Sequence, residues 1–156
     1  SSLQSWLPYL NNNQSLILVH NVTTTAADVE FVNRTTNNKQ QTINFCLCPN
    51  ANLYISNTLP DINMLMKNNC NIVLGTDSLA SNHQLDILEE MKTLQQHFSA
   101  LSLETLLQWA TINGAHALQM DSVLGSFEKD KQPGLVQVKL TDGRFFAAES
   151  ASKRIL

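Results

Sequence analysis

Apolar residues open the chain with helical spacing. Leu3, Trp6, Leu7 and Leu10 fall at i, i+3, i+4 and i+7, the pattern of one buried helix face, although Pro8 strains any helix there. After Asn11-Asn12-Asn13 comes a continuous apolar run, Leu16-Ile17-Leu18-Val19, that stops at His20-Asn21. Continuous rather than alternating apolar residues predict a strand covered on both faces. Thr25 with Asp28 three positions on is a variant capping box. It predicts a helix that buries Val29, Phe31 and Val32.

The cycle repeats beyond Asn37-Asn38. Thr42–Pro49 reads as a strand stopped by Pro49, and Asn50–Thr58 as an irregular loop. Pro60 at a first helical position, beside Asp61, starts a helix with Ile62, Leu65 and Met66 inward, ended by Asn68-Asn69. The third strand lies in Asn71–Ser78, "NIVLGTDS". Ile87, Met91, Leu94 and Phe98 then mark a helix. Ser102 caps another, with Glu104 in its first turn and Leu103, Leu106, Leu107, Ala110, Gly114, Ala117 and Leu118 along one stripe. Helix and strand thus alternate three times before two further helices. Alternation of this kind predicts an α/β fold with a parallel sheet and helices outside it. From Ser122 the texture changes to short β-rich pieces with turn signals at Lys131–Gly134 and Thr141–Gly143, an antiparallel appendage or the start of a second small domain.

Composition narrows the function. With 43% hydrophobic and 15% charged residues the chain has the make-up of a soluble globular protein. A net charge of -3 gives no electrostatic case for nucleic acid or an anionic membrane surface. No apolar run reaches the roughly 18 residues of a membrane helix, and "SSLQSWLPYL" has neither the basic start nor the apolar stretch of a signal peptide. Three cysteines without a CxxC pair fit reduced thiols in a cytoplasmic protein. Cys46 and Cys48 alternate with Leu47 and share one strand face, as packing residues. His83, His97 and His116 fall on helical segments, as surface or packing residues.

Candidate chemistry sits at the strand ends, since parallel α/β folds place their sites beyond the carboxyl ends of the strands. Those ends read His20-Asn21, Cys48-Pro49-Asn50 and Thr76-Asp77-Ser78. They deliver an imidazole and a carboxylate, two common metal ligands and general bases. Each has an ordinary reading too: His20 as a hydrogen-bonded rim residue, Asp77 as a turn or cap acid. Their joint placement lifts the chemical reading only to stand level with the ordinary one.

The segments "LVHN", "CPNANLYI" and "IVLGTDSLASNHQLDILEEMK", in this order, resemble the later part of the amidohydrolase superfamily, in its metal-dependent deaminase and chlorohydrolase branch. "WATINGAHALQMDSVLGSFEKDKQPGLVQV" is similar to that branch's closing segment. The resemblance runs from His20 to Val138. It implies about the last three β/α units of a (β/α)8 TIM barrel over residues 1–121. Residues 122–156 are then a short β segment returning to an accessory β-sandwich. It implies that Asp77 binds a divalent metal, zinc or iron, and takes a proton from the activated water. His20 contacts the substrate and stabilises the tetrahedral intermediate. Ser78 and Asn82 border the substrate pocket, and Asn52 shapes its rim. The implied reaction is hydrolysis of a C–N or C–Cl bond in a small heterocycle.

The sequence also departs from that family. It contains no His-x-His pair, and no histidine precedes His20. Asp130 stands where the family's return segment has Gly, and Gly134 where it has Asp. A full barrel takes about 250 residues. The expectation is therefore a C-terminal piece, inactive by itself with an incomplete metal site, which forms homo-oligomers or associates with the missing N-terminal half. The alternative is a non-catalytic α/β binding or scaffold module with a degenerate site. A hydrolase on a doubly wound sheet lacks its GxSxG elbow here.

Overall fold

The computed structural model describes residues 1–11, 13–36, 42–140, 145–147 and 149–156. The turns expected at Asn37-Asn38 and Thr141–Gly143 lie outside them, as does Asn12 within the first Asn run. The fold is α/β. Strands β1 (Leu16–Val19), β2 (Ile43–Leu47) and β3 (Asn71–Leu74) form a parallel sheet in the order β1-β2-β3. Leu18, Phe45 and Ile72 stand side by side in its register, and so do Val19, Cys46 and Val73. One face carries Leu16, Leu18, Ile43, Phe45, Leu47, Ile72 and Leu74 into the main core. The other places Cys46 and Val73 against Cys48, Ala51 and Ala117.

Only β2 is buried along its whole length. In β1, Ile17 and Val19 are 39% and 50% exposed, which corrects the expected two-sided cover. The apolar run supplies two apolar faces, but the described residues cover one of them.

The helices follow local signals with four corrections. At the start, α1 (Ser2–Trp6) passes into a 3-10 turn, Leu7–Tyr9, with Pro8 near its beginning. Leu7 is buried, yet Trp6 is exposed, because the tighter turn rotates the face away from it. Helix α2 (Ala26–Thr36) keeps its capping box. The Asp28 carboxylate accepts from the Thr25 amide at 3.0 Å, and the Asp28 amide donates to the Thr25 hydroxyl at 3.3 Å.

The second correction is α3 (Pro49–Ser56), in place of the expected loop. Pro49 ends β2 and also fills the first helical position, where a missing N–H costs nothing. Asn57 closes α3 in the left-handed region at φ 49°. Third, in α4 (Ile62–Lys67) the cap is Asp61, accepting from the Met64 amide, so Pro60 precedes the helix; Ile62 and Leu65 are inward but Met66 is exposed. Helix α5 (Ile87–His97) buries Leu88, Met91 and Leu94.

Last, the single long stripe after Ser102 is broken at Thr111 into α6 (Leu103–Ala110) and α7 (Ile112–Ala117). The break turns Trp109 inward and leaves Leu107 and Leu118 exposed. The chain then returns to an antiparallel pair, β4 (Val136–Val138) with β5 (Ser152–Arg154). Between them Phe146 joins the main core, and its backbone bonds the Gln95 side chain of α5. Asp130 and Gly134 both hold left-handed backbones, φ 69° and 72°, which glycine tolerates best. Among the described residues no helix is long and apolar enough to cross a membrane.

Candidate functional site

The parallel ladder carries the chain directly into the site. The His20 amide donates to the Cys46 carbonyl at 3.0 Å, and the Gly75 amide to the Leu47 carbonyl at 2.9 Å. Each strand therefore ends in sheet register one or two residues before its candidate group. Both groups then adopt left-handed backbones, with φ 73° at His20 and 59° at Asp77. Such conformations are uncommon for residues with a β-carbon and persist where surrounding contacts fix them.

Those contacts are on both sides. Asn21, buried, donates its side-chain amide to the Leu18 and Cys46 carbonyls at 2.7 and 3.2 Å. Beyond β3, Asn82 donates to the Thr76 carbonyl at 2.8 Å, and the Ser81 hydroxyl donates to Asp77 Oδ2 at 2.5 Å.

The result brings His20 and Asp77 together from opposite edges of the sheet. His20 Nε2 lies 3.8 Å from Asp77 Oδ2, with the two side chains 38% and 32% exposed. Both therefore face solvent, within reach of a small molecule. On the other side of the ring, His20 Nδ1 lies 2.7 Å from Asn52 Oδ1, and Asn52 Nδ2 donates to the His20 carbonyl at 3.3 Å. With its amide nitrogen so engaged, Asn52 presents an acceptor to the ring. This assigns the proton to Nδ1. In the neutral ring the Nε2 lone pair then faces a carboxylate oxygen, two acceptors that cannot bond each other. A proton on His20, a cation, or a donor from a bound molecule resolves that arrangement.

Below the pair lie the thiols. Cys46 and Cys48 are buried and all three cysteines are free. The Cys48 thiol bonds Cys46 and pulls its pKa down; that same bond, reinforced by burial, pushes Cys48 well up. A β-carbon on Gly75 would stand 2.8 Å from Cys46 Sγ and 3.3 Å from Cys48 Sγ, so only glycine lets β3 pass so close.

The other expected site residues occupy different places. Ser78 is exposed, and its hydroxyl accepts from the Ala80 amide at 3.3 Å within the turn. Asn82 is buried, with its amide shared between Thr76 and Glu90. His83 lies in the loop before α5, not on a helix, with its ring edge-on to Tyr54.

Glu90 escaped the sequence reading. It is 0% exposed. Its carboxylate accepts from the Asn50 amide at 2.9 Å, the Asn50 side chain at 3.1 Å and Asn82 at 2.7 Å. Burial pushes its pKa up, and the Asn50 and Asn82 donors pull against that. Its position was a usable signal: Glu90 falls between Ile87 and Leu94 on the apolar stripe of α5, where a surface carboxylate does not belong.

Among the described residues no group of three or more His, Cys, Asp or Glu could hold a metal ion. A catalytic zinc commonly takes three protein ligands. Asp77 and His20 together form at most a part of such a set.

Known proteins resemble this arrangement. A model of the amidohydrolase family matches residues 5–153. The 5-methylthioadenosine/S-adenosylhomocysteine deaminase of Saccharophagus degradans is 32% identical over 61% of this chain and 23% of its own length. The 5'-deoxyadenosine deaminase of Methanosphaera stadtmanae is 27% identical over 82% of this chain and 30% of its own. A zinc-bound adenosine deaminase structure from Xanthomonas campestris superposes with a TM-score of 0.71 at 30% identity, covering 88% of this chain and 31% of that one. E. coli guanine deaminase, at 20% identity and TM-score 0.64, shows the same fold. The chain spans about a quarter of the length of the first curated relative it matches. With a family model matched over nearly its whole length, the chain belongs to the amidohydrolase family.

Proposed function

We propose that this chain is the C-terminal part of a metal-dependent deaminase that hydrolyses the exocyclic C–N bond of an aminopurine nucleoside or a similar small heterocycle. The observation that carries the reading is the His20–Asp77 pair, held 3.8 Å apart at the carboxyl ends of β1 and β3. Similarity to adenosine-type deaminases supports C–N over C–Cl cleavage. On this reading the sheet is a segment of a (β/α)8 barrel, and residues 122–156 lead back to an accessory β-sandwich.

A divalent metal, zinc or iron, supplies the Lewis acidity that makes water reactive near neutral pH. Asp77 is its ligand from this chain, and the remaining ligands come from outside these residues. Ser81 donates to Oδ2 of Asp77, the oxygen that also faces His20 Nε2, and so fixes the orientation of the carboxylate that would hold the metal and take the proton. Asn52 holds the Nδ1–H of His20, so Nε2 is the ring atom turned towards the substrate. It binds a hydrogen or a developing charge on the heterocycle. Ser78 and Asn82 belong to the loop that borders the pocket. The 156 residues alone are inactive in this reading, and they act in the cytoplasm together with the N-terminal part of the barrel.

The test uses the full-length protein that contains this chain. It is expected to copurify with about one equivalent of zinc or iron and to release ammonia from adenosine-type nucleosides. Asp77→Asn is expected to lower kcat by about 100- to 10,000-fold, as loss of a group acting on the reacting water does. Full turnover by that variant would sink the assignment. The second reading, a non-catalytic scaffold module, draws on the lack of a three-ligand cluster among the described residues. A His-x-His pair in the reading frame upstream of Ser1 decides for the enzyme.

A further inference from the structure

Glu90 is the junction of two arms that end on the site. Through the first arm its carboxylate holds Asn50, by backbone amide and side chain both. Asn50 is the second residue of α3, and Thr93 of α5 locks its Oδ1 at 2.5 Å. Two residues further along that helix, buried Asn52 grips His20 at the ring and at the carbonyl. Through the second arm Glu90 holds Asn82, whose same amide bonds the Thr76 carbonyl, one residue before Asp77. A fully buried carboxylate is strongly unfavourable unless its lone pairs are met. An apolar side chain at this place on α5 would leave the Asn50 amide, the Asn50 side chain and the Asn82 side chain without this acceptor. The carboxylate therefore fixes an amide on each arm at once.

We infer that Glu90 is a positioning residue of the deaminase site. Resting on the function proposed above, it sets the separation of His20 and Asp77 without touching substrate. It acts by two different routes, a helix start for the imidazole and a loop for the carboxylate. Glu90→Gln keeps the shape but replaces one acceptor oxygen with a donor, so at least one arm loses the bond that holds it.

The experiment compares wild type, Glu90→Gln, Asn50→Ala and Asp77→Asn in the full-length protein. Each is measured for kcat, KM, the pH profile of kcat, thermal melting, and the imidazole nitrogen NMR signals of His20. Glu90→Gln is expected to lower kcat ten- to hundredfold with KM within about threefold. It should also displace the pH profile and shift the His20 nitrogen resonances. Asn50→Ala, which removes the side-chain bonds of one arm to Glu90 and Thr93 but keeps the backbone amide's bond, is expected to move the same readouts less and to carry the test if Glu90→Gln does not fold. The proposal is overturned if the folded variants keep wild-type kcat, pH profile and His20 signals. It is equally overturned if they lose only melting temperature. Failure of the deaminase reading looks different: Asp77→Asn then keeps its activity, or no variant has any. The His20 signals still report in that case whether Glu90 positions the ring.

Discussion

Gly75 shows how one residue can be fixed by its neighbours' atoms and not by its own backbone. Its place above the paired thiols of Cys46 and Cys48 leaves no room for a methyl group. Gly75→Ala is expected to lose about 1–3 kcal/mol in urea unfolding, the cost of overpacking a close-packed interior. Cys46→Ala in the same chain should return part of that loss. Asp28 makes a second case. The Ser1 hydroxyl, then the Thr25 amide and hydroxyl, hold its pKa down at about 2. The folded value lies below the unfolded one, so this group stabilises the chain fully above about pH 4. That contribution disappears as pH falls through about 2. Asp28→Ala should therefore cost about 1 kcal/mol at neutral pH and flatten the acid limb of a stability-versus-pH curve. An unchanged acid limb would remove Asp28 from that role.

At the scale of elements, local rules did well where a cap or a stripe was unambiguous. Ser102 illustrates this: its hydroxyl accepts from the Thr105 amide at 3.1 Å and starts the helix that carries Leu106 and Trp109 into the core. Ser102→Ala should cost about 1 kcal/mol, read as a shift in the unfolding midpoint with an unchanged slope. Local rules failed where one residue serves two grammars. Pro49 ends a strand and begins a helix, and nothing within Asn50–Thr58 announces α3 as strongly as the burial of Ala51 and Asn52 enforces it. The break at Thr111 has the same character. The apolar stripe runs on through it, but α6 and α7 both pack on β3, and the Asn113 side chain donates to the Ile72 carbonyl at 2.9 Å. One straight helix cannot follow that path.

At the scale of the molecule, β1 ends the sheet with Ile17 and Val19 partly open to water. An unpaired edge beside an apolar face invites pairing with another chain. The isolated 156-residue chain is expected to run above its 17.4 kDa monomer mass in size-exclusion chromatography with light scattering. Ile17→Lys combined with Val19→Lys should move it towards monomer. A wild-type monomer that melts cooperatively would count against the idea that this face awaits a partner.

The linear sequence determined the alternation of strands and helices, the caps at Thr25 and Ser102, and the two polar residues that follow buried runs, His20 and Asp77. These are short-range facts: period, turn chemistry and the switch from apolar to polar are all written within a few neighbouring residues. Only the tertiary structure decided that His20 and Asp77, 57 positions apart in the chain, stand across one gap, with Asn52 on the far nitrogen of the ring and Ser81 on the carboxylate oxygen that faces it. It also decided that Glu90, one acid among many in the sequence, is fully buried and bonds the Asn50 and Asn82 amides that lead to both. Such partnerships depend on which side chains meet across β2 and α5. No local period encodes that, because the hydrogen bonds that make it join residues about 8 to 40 positions apart.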